Sequence, residues 1–167
     1  LAARRPEARF DSETSALFEA FPADHKMPQI AAFLADADSH SLRLMGARAA
    51  GAPSLIRSRP GVSATFRWQS VAGGTHFVKL VTDDDVLDLD QRNRTLADAL
   101  RDTPLGVVPV SGLIPELGCI AYRAAPGVPL DAMIGAGQHG AALAAVRRTV
   151  GSLRHLWAAP VAPRRRL

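Results

Sequence analysis

Apolar residues in this chain follow two different rhythms, and the change from one to the other marks its organisation. Met27, Ile30, Phe33, Leu34 and Ala37 fall three and four apart, which places them on one face of a helix beginning after Asp24. Upstream, Leu17, Phe18 and Phe21 follow Asp11 and Ser12, either of which can cap a helix, so residues 1–50 are predicted as a helical segment. From Gly51 the texture changes. Pro53, Pro60 and Gly61 punctuate short runs, and Thr65-Phe66-Arg67-Trp68-Gln69 alternates as a half-buried strand does. Gly73-Gly74 separates this run from Thr75-His76-Phe77-Val78-Lys79-Leu80-Val81, the mark of a tight hairpin between two strands.

The helical rhythm then returns. Leu89, Leu96 and Leu100 lie seven and four apart after Asp83-Asp84-Asp85, whose acidic residues suit a helix start. Two further strands are predicted, Val107 to Val110 and Gly118 to Tyr122, joined by a turn around Pro115-Glu116-Leu117-Gly118. Residues 124–130, Ala-Ala-Pro-Gly-Val-Pro-Leu, read as a stiff non-helical connector. A last helix runs from about Ala141 to Ala158, with Leu143, Val146, Val150, Leu153, Leu156 and Trp157 on one stripe and Arg147, Arg148 and Arg154 off it.

This order predicts an α+β chain: a five-stranded antiparallel sheet with one packed helix, preceded by N-terminal helices and followed by a connector and one further helix. Residues 51–125 form the sheet domain, 126–158 the connector and last helix, and 159–167 a tail.

Bulk properties narrow the function. The 167 residues, 47% hydrophobic and 22% charged, suffice for one domain with a core or for a lobe of something larger. The net charge of +4 is concentrated in Arg4, Arg5 and Arg9 and in Arg164, Arg165 and Arg166, and aromatic residues make up 5%. That pattern argues against a nucleic-acid partner, which calls for basic residues along a face with aromatic readers between them. The terminal arginines read as solvated tails. No segment approaches the roughly 18 to 20 apolar residues needed to span a bilayer, and the start lacks a signal peptide's apolar region, so no membrane association and a cytoplasmic location are expected. Cys119, the lone cysteine, sits in an apolar run and reads as a buried free thiol. The five histidines show no ligand spacing with one another or with Cys119, and Asp83-Asp84-Asp85 reads as a solvated cap, so no metal site is expected in the chain. Ser63 and Thr65 lack a neighbouring His or Asp, which disfavours hydrolase chemistry.

Lys79 stands out, because Lys26 is the only other lysine in a chain that otherwise takes its positive charge from arginine. Lysine offers a compact point charge on a flexible stem, suited to touching one phosphate group. The bland alternative is an edge-strand lysine that reaches water and guards against aggregation.

The strand HFVKL holding Lys79, the hairpin from Arg59 to Phe66, the helix ending LADAL followed by VVPV, and the stretch GLIPELGCIAYRAAPGVPL together resemble the N-terminal lobe of the aminoglycoside phosphotransferase-like family of small-molecule kinases. The resemblance covers residues 54–158, and the order of elements carries more of it than any single motif. It implies a kinase-like N-lobe sheet, with Pro126-Gly127 in the hinge and the last helix belonging to the second lobe. It further implies ATP (or GTP) with Mg2+ as cofactor and an unknown small-molecule acceptor of phosphate. Lys79 would contact the α- and β-phosphates, and the loop from Ser58 to Thr65 would cover them through Gly61 and the Ser58, Ser63 and Thr65 hydroxyls. Backbone groups of Tyr122 to Ala125, Ala124 among them, would hold the adenine edge.

The chain departs from the family in four respects, one being a phosphate loop poor in glycine, with Gly61 alone. The helix carboxylate that should pair with the strand lysine is replaced by Asn93, on the stripe with Leu89, Leu96 and Leu100; Asp90 can substitute only in a shifted or rotated helix. Phe77 is bulkier than the small residue usual near adenine. No residue after Leu130 supplies the base aspartate, asparagine and second aspartate that phosphoryl transfer requires, so the chain alone is expected to be catalytically inactive. Together with a first residue other than Met, this suggests a fragment lacking the catalytic loop. The alternative is a non-catalytic kinase-like interaction module in which Lys79 is structural. Either way, the last helix's stripe would lack its packing partner and favour self-association.

Overall fold

The computed structural model of the chain describes the backbone of residues 8–11 and 16–19 and, in full, residues 24–82 and 86–159. They group into two compact units, residues 1–89 with 110–124 and residues 90–109 with 125–167.

The first unit is built on a five-stranded antiparallel sheet. Its strands are β3 (Ser54–Arg59), β4 (Ser63–Gln69), β5 (Thr75–Val81), β6 (Val110–Ile114) and β7 (Cys119–Arg123), in the spatial order β3-β4-β5-β7-β6. An antiparallel α+β sheet of five strands is thus present as expected. The β4–β5 hairpin turns at Gly73 and Gly74, both with positive φ, while Ser70 takes an N–H···O bond to Gly74. A separate two-stranded pair, β1 (Ala8–Asp11) and β2 (Ala16–Glu19), precedes the sheet.

That pair corrects the expected helical segment over residues 1–50. Ala8–Asp11 and Ala16–Glu19 are strands, paired Arg9 to Phe18 and Phe10 to Leu17. Leu17-Phe18 are adjacent apolar residues, which a two-residue period accommodates as readily as a helical one, and cross-strand pairing decides between them. The proposed cap Ser12 and the apolar Phe21 lie outside the described residues. Downstream the helical reading holds: α1 (Gln29–Ala35) and α2 (Ala37–Met45) form, and α2 ends on Gly46 in the left-handed conformation, its N–H donating to Leu42.

One face of the sheet is closed by these helices. Phe33 of α1 stacks on His40 of α2 (ring centroids 5.6 Å apart) and meets Phe66 at 5.3 Å and Trp68 at 5.4 Å, both of β4. Met27, Ile30, Leu44, Val78, Leu80, Ile114, Cys119 and Ala121 complete this core. His40 Nδ1 lies 3.0 Å from the Phe33 carbonyl, and Trp68 donates to the Gly51 carbonyl at 2.7 Å, so one buried nitrogen of each ring is satisfied. A smaller core on the other face gathers Val81, Ile120, Leu113 and Tyr122 beneath Val86 and Leu89, the first turns of α3 (Val86–Ala99).

Two glycines fix how closely the backbone layers approach. At Gly112 in β6 a Cβ would stand 2.5 Å from the Arg43 carbonyl oxygen and 2.6 Å from Leu44 Cα, so α2 rests directly on the strand. Gly118 ends the 3-10 turn Pro115–Leu117 with φ of 58°, and a Cβ there would collide with the Val81 carbonyl. Arg43 of α2 and Glu116 of that turn form an exposed ion pair across the same junction.

Strand β6 begins at Val110 rather than Val107 and runs on to Ile114. Pro109 has no N–H to give a ladder, so residues 107–109 stay outside it. In the second unit, α4 (Leu130–Gly135) packs on α5 (His139–Ala158). The sequence pattern did not reveal α4, because its six residues are too few to show a period. On α5, Leu143, Val146, Val150, Leu156 and Trp157 are exposed. Among the described residues no helix is long and apolar enough to cross a membrane.

Gly112→Ala and Gly118→Ala should each destabilise the folded chain by about 1–3 kcal/mol, through overpacking at the first and overpacking plus backbone strain at the second. Gly106→Ala, which meets nothing within 4 Å, serves as the control. Urea unfolding midpoints test this; equal midpoints for all three variants would contradict the close approach.

Candidate functional site

Lys79 occupies the middle strand β5, directly between Thr65 of β4 and Ile120 of β7. Its neighbours Val78 and Leu80 are fully buried on the helix-covered face, so alternation sends Lys79 to the other face, where it is half-buried. It is therefore no edge-strand lysine. Among the described residues no carboxylate lies within ion-pair distance of it.

The register carries the same parity across the sheet. Phe77 faces Arg67 on one side and Tyr122 on the other; Val81 faces Ser63; Thr65 faces Arg57; Ser63 faces Arg59. Directly opposed residues share a face. The Lys79 face therefore carries Arg57 and Arg59 from β3, Ser63, Thr65 and Arg67 from β4, Phe77 and Lys79 from β5, and Tyr122 from β7. Phe77 is 36% exposed, whereas Tyr122 is half-buried among the residues beneath α3.

Several expected phosphate ligands are placed differently. The loop from Ser58 to Thr65 contracts to a turn over residues 60–62, with Ser58 in β3 and Ser63 and Thr65 in β4. Ser58 is opposite Ala64, which is buried on the helix-covered face, so Ser58 does not share a face with Lys79. Thr65 does, and so does Ser63, although Ser63 is buried. Gly61 sits at the tip with φ of 68°, and its N–H donates to Asp24 Oδ2 at 2.7 Å. The other carboxylate oxygen of Asp24 accepts from the Lys26 N–H at 2.9 Å, and the Lys26 stem packs on Gly61 so closely that a Cβ would stand 2.8 Å from Lys26 Cδ. Thr82 Oγ1 holds the tip from the other side, donating to the Gly61 carbonyl at 3.2 Å. An internal carboxylate thus has the amide that the resemblance assigns to a phosphate.

The lysine's expected partners are also engaged. Asn93 donates through Nδ2 to the Val108 carbonyl at 3.2 Å. Asp90 is nearly buried and paired with Arg94 one turn later at 2.8 Å. In the hinge, the Ala124 N–H donates to the Thr75 carbonyl at 2.8 Å, which removes it as a donor to an adenine edge. Among the described residues no group of three His, Cys, Asp or Glu side chains could hold a metal ion; Asp83, Asp84 and Asp85 lie outside them.

Sequence reasoning missed Arg57, Arg59 and Arg67. The alternation in β4 was visible, and counting parity outward from Lys79 through the hairpin would have placed Arg67 on its face. Arg57 and Arg59 required the β3–β4 register, which slips by one residue at Ile56 through a bulge between Leu55 and Arg57.

Two titratable groups on the opposite face are structural. Cys119 is buried, and burial pushes its thiol up to about 12, so it is neutral and inert at physiological pH. His76 is buried with Nδ1 3.1 Å from Ser111 Oγ; burial, and then the Arg123 charge beside it, hold its pKa below the ordinary histidine value.

Comparison with family models, curated proteins and solved structures returned no match to this chain.

Because the folded His76 binds its proton less readily than the unfolded one, its contribution to stability is complete above about pH 6.5 and is lost as pH falls below that. His76→Gln should flatten this part of the stability curve, measured by urea unfolding between pH 5 and 8; an unchanged slope would show that His76 is not the group responsible. Cys119 should resist an aromatic disulfide reagent at pH 8 until urea unfolds the chain, and rapid labelling of the folded chain would contradict its burial.

Proposed function

We propose that this chain is the nucleotide-binding part of a small-molecule kinase resembling the aminoglycoside phosphotransferase family, the full protein transferring phosphate from ATP or GTP to a hydroxyl. The observation that carries this reading is Lys79: a half-buried cation on the middle strand of a five-stranded antiparallel sheet, with Thr65 beside it and no carboxylate partner among the described residues. An ammonium held in that position without a counter-charge is disfavoured unless an anion completes it. The element order, with three strands, a helix and two strands before the Pro126-Gly127 connector, supports the same reading.

What these residues do chemically is bind and orient. Lys79 places one positive charge at the middle of the face, and Thr65 adds a hydroxyl donor beside it. Mg2+, when bound in the full protein, would neutralise phosphate charge, but no described residue is assigned to it. Phosphoryl transfer is assigned to groups that this chain does not supply, and the acceptor pocket is assigned with them.

The second reading, a non-catalytic kinase-like interaction module, is favoured by one observation: Asp24 holds the Gly61 amide, and Asn93 is turned to Val108, so two positions expected to serve the nucleotide serve the fold.

Calorimetric titration of the chain with ATP and magnesium separates the two. Saturable binding that Lys79→Met weakens by about tenfold or more, the loss of one charge-assisted contact, supports the first. Absence of binding by a chain that melts cooperatively supports the second.

A further inference from the structure

The outward face of β3, β4 and β5 holds cations and no anions. The three strands read SLIRSR, SATFRWQ and THFVKLV, and their residues on the Lys79 side include Arg57, Arg59, Arg67 and Lys79 with no Asp or Glu. A solvated face ordinarily mixes the two signs. Among the described residues none of these four has an ion-pair partner, although Arg43, Arg94 and Arg101 elsewhere in the chain each have one. Like charges gathered on one sheet face repel and destabilise it, a penalty that a bound anion removes.

The geometry sorts the face into rows. Arg57, Thr65 and Lys79 lie in one row across three strands, Arg59, Ser63 and Val81 in the next, and Arg67, Phe77 and Tyr122 in the row on the other side. Strands spaced ~4.8 Å apart put the Arg57 and Lys79 Cα atoms ~10 Å from each other, close enough for two long side chains to converge on one phosphate chain. Phe77 lies two residues from Lys79 along β5, ~7 Å away, where its exposed ring can stack a base.

We infer that Arg57 and Arg59, both in β3, bind the phosphate chain of a nucleoside triphosphate together with Lys79, taking the role that loop amides would otherwise fill, with the base on Phe77. This rests on the reading of Lys79 as a nucleotide ligand and deepens it. It explains why the loop tip can be tied down: Gly61's amide belongs to Asp24, and arginines supply the positive charge instead. Guanidinium groups suit the task, since each offers paired donors to phosphate oxygens. It also explains the charge of β3, whose exposed positions would guard the sheet edge equally well with residues of either sign. A single exposed aromatic ring favours a nucleotide over a nucleic-acid strand, which requires a succession of stacking rings.

The test is calorimetric titration of the intact chain, in EDTA, with ATP, ADP, AMP, adenosine and tripolyphosphate, repeated on Arg57→Gln, Arg59→Gln, Lys79→Met and Arg48→Gln. The expected affinity order is ATP, ADP, AMP, adenosine, with metal-free ATP bound at least as tightly as ATP with magnesium. Arg57→Gln and Arg59→Gln should each weaken ATP and tripolyphosphate by about tenfold and leave adenosine unchanged, while Arg48→Gln, outside the three strands, changes nothing. Circular-dichroism melting of each variant checks that the fold is intact.

ATP binding that both arginine variants retain in full overturns the inference while leaving the nucleotide reading standing. Tripolyphosphate binding that the arginine variants weaken, with no preference for ATP, upholds the phosphate row and overturns the nucleotide reading. Equal weakening by Arg48→Gln, binding to none of the probes, or tighter binding to a single-stranded oligonucleotide than to ATP overturns the inference.

Discussion

The two-sidedness of the sheet depends on Phe33. Its ring fills the space between α2 and β4, stacked on His40 and set against Phe66 and Trp68, and it thereby decides which side of the sheet is interior. A strand has only two sides, so a slip of one residue in β4 or β5 would drive Lys79 or Arg67 into the space held by Val78 and Phe66. Burying an unpaired ammonium or guanidinium there would cost several kcal/mol, more than any alternative pairing returns. The aromatic cluster therefore enforces a register whose by-product is a face of four cations. The glycine contacts at Gly112 and Gly118 hold the same arrangement from behind, by letting α2 and the Pro115–Leu117 turn sit directly against the backbone.

Much of this was legible along the chain, for definable reasons. Met27, Ile30, Phe33 and Leu34 announced α1 because helical spacing is local. Thr65 to Gln69 and Thr75 to Val81 announced a hairpin because alternation and Gly73-Gly74 are local too. What was not legible is what depends on pairing between distant segments. The bulge at Ile56 sets whether Arg57 and Arg59 share a face with Lys79, and nothing in β3 alone, where every residue is exposed, reveals it. Asp24 is thirty-seven residues from Gly61, and its hydrogen bond could not have been read from either. At the start of the chain a local rule misled: Leu17-Phe18 fitted a helix in isolation and a strand in the company of Arg9 and Phe10.

The resemblance to a small-molecule kinase assigns Lys79 to a phosphate, and the hydrogen bonds around that residue depart from what the resemblance implies. Gly61, Asn93 and Ala124 each have a hydrogen bond to another part of the chain, to Asp24, Val108 and Thr75. Each of those bonds ties down a segment that a flexible nucleotide clamp would keep free. A sheet so fixed is suited to presenting a preorganised set of side chains and poorly suited to closing over a ligand. In the proposed reading Arg57 and Arg59 reach outward from that fixed face to the phosphates.

The proposed reading is that this face binds the anion. The most direct measurement is an NMR titration of isotope-labelled protein with ATP, following backbone amides together with lysine and arginine side-chain signals. The account predicts saturable shifts at Lys79, Thr65, Arg57, Arg59 and Phe77, with His76, Cys119 and the α5 residues unmoved. Shifts confined to α5 or to the opposite face, or no saturable shift at all, would contradict it.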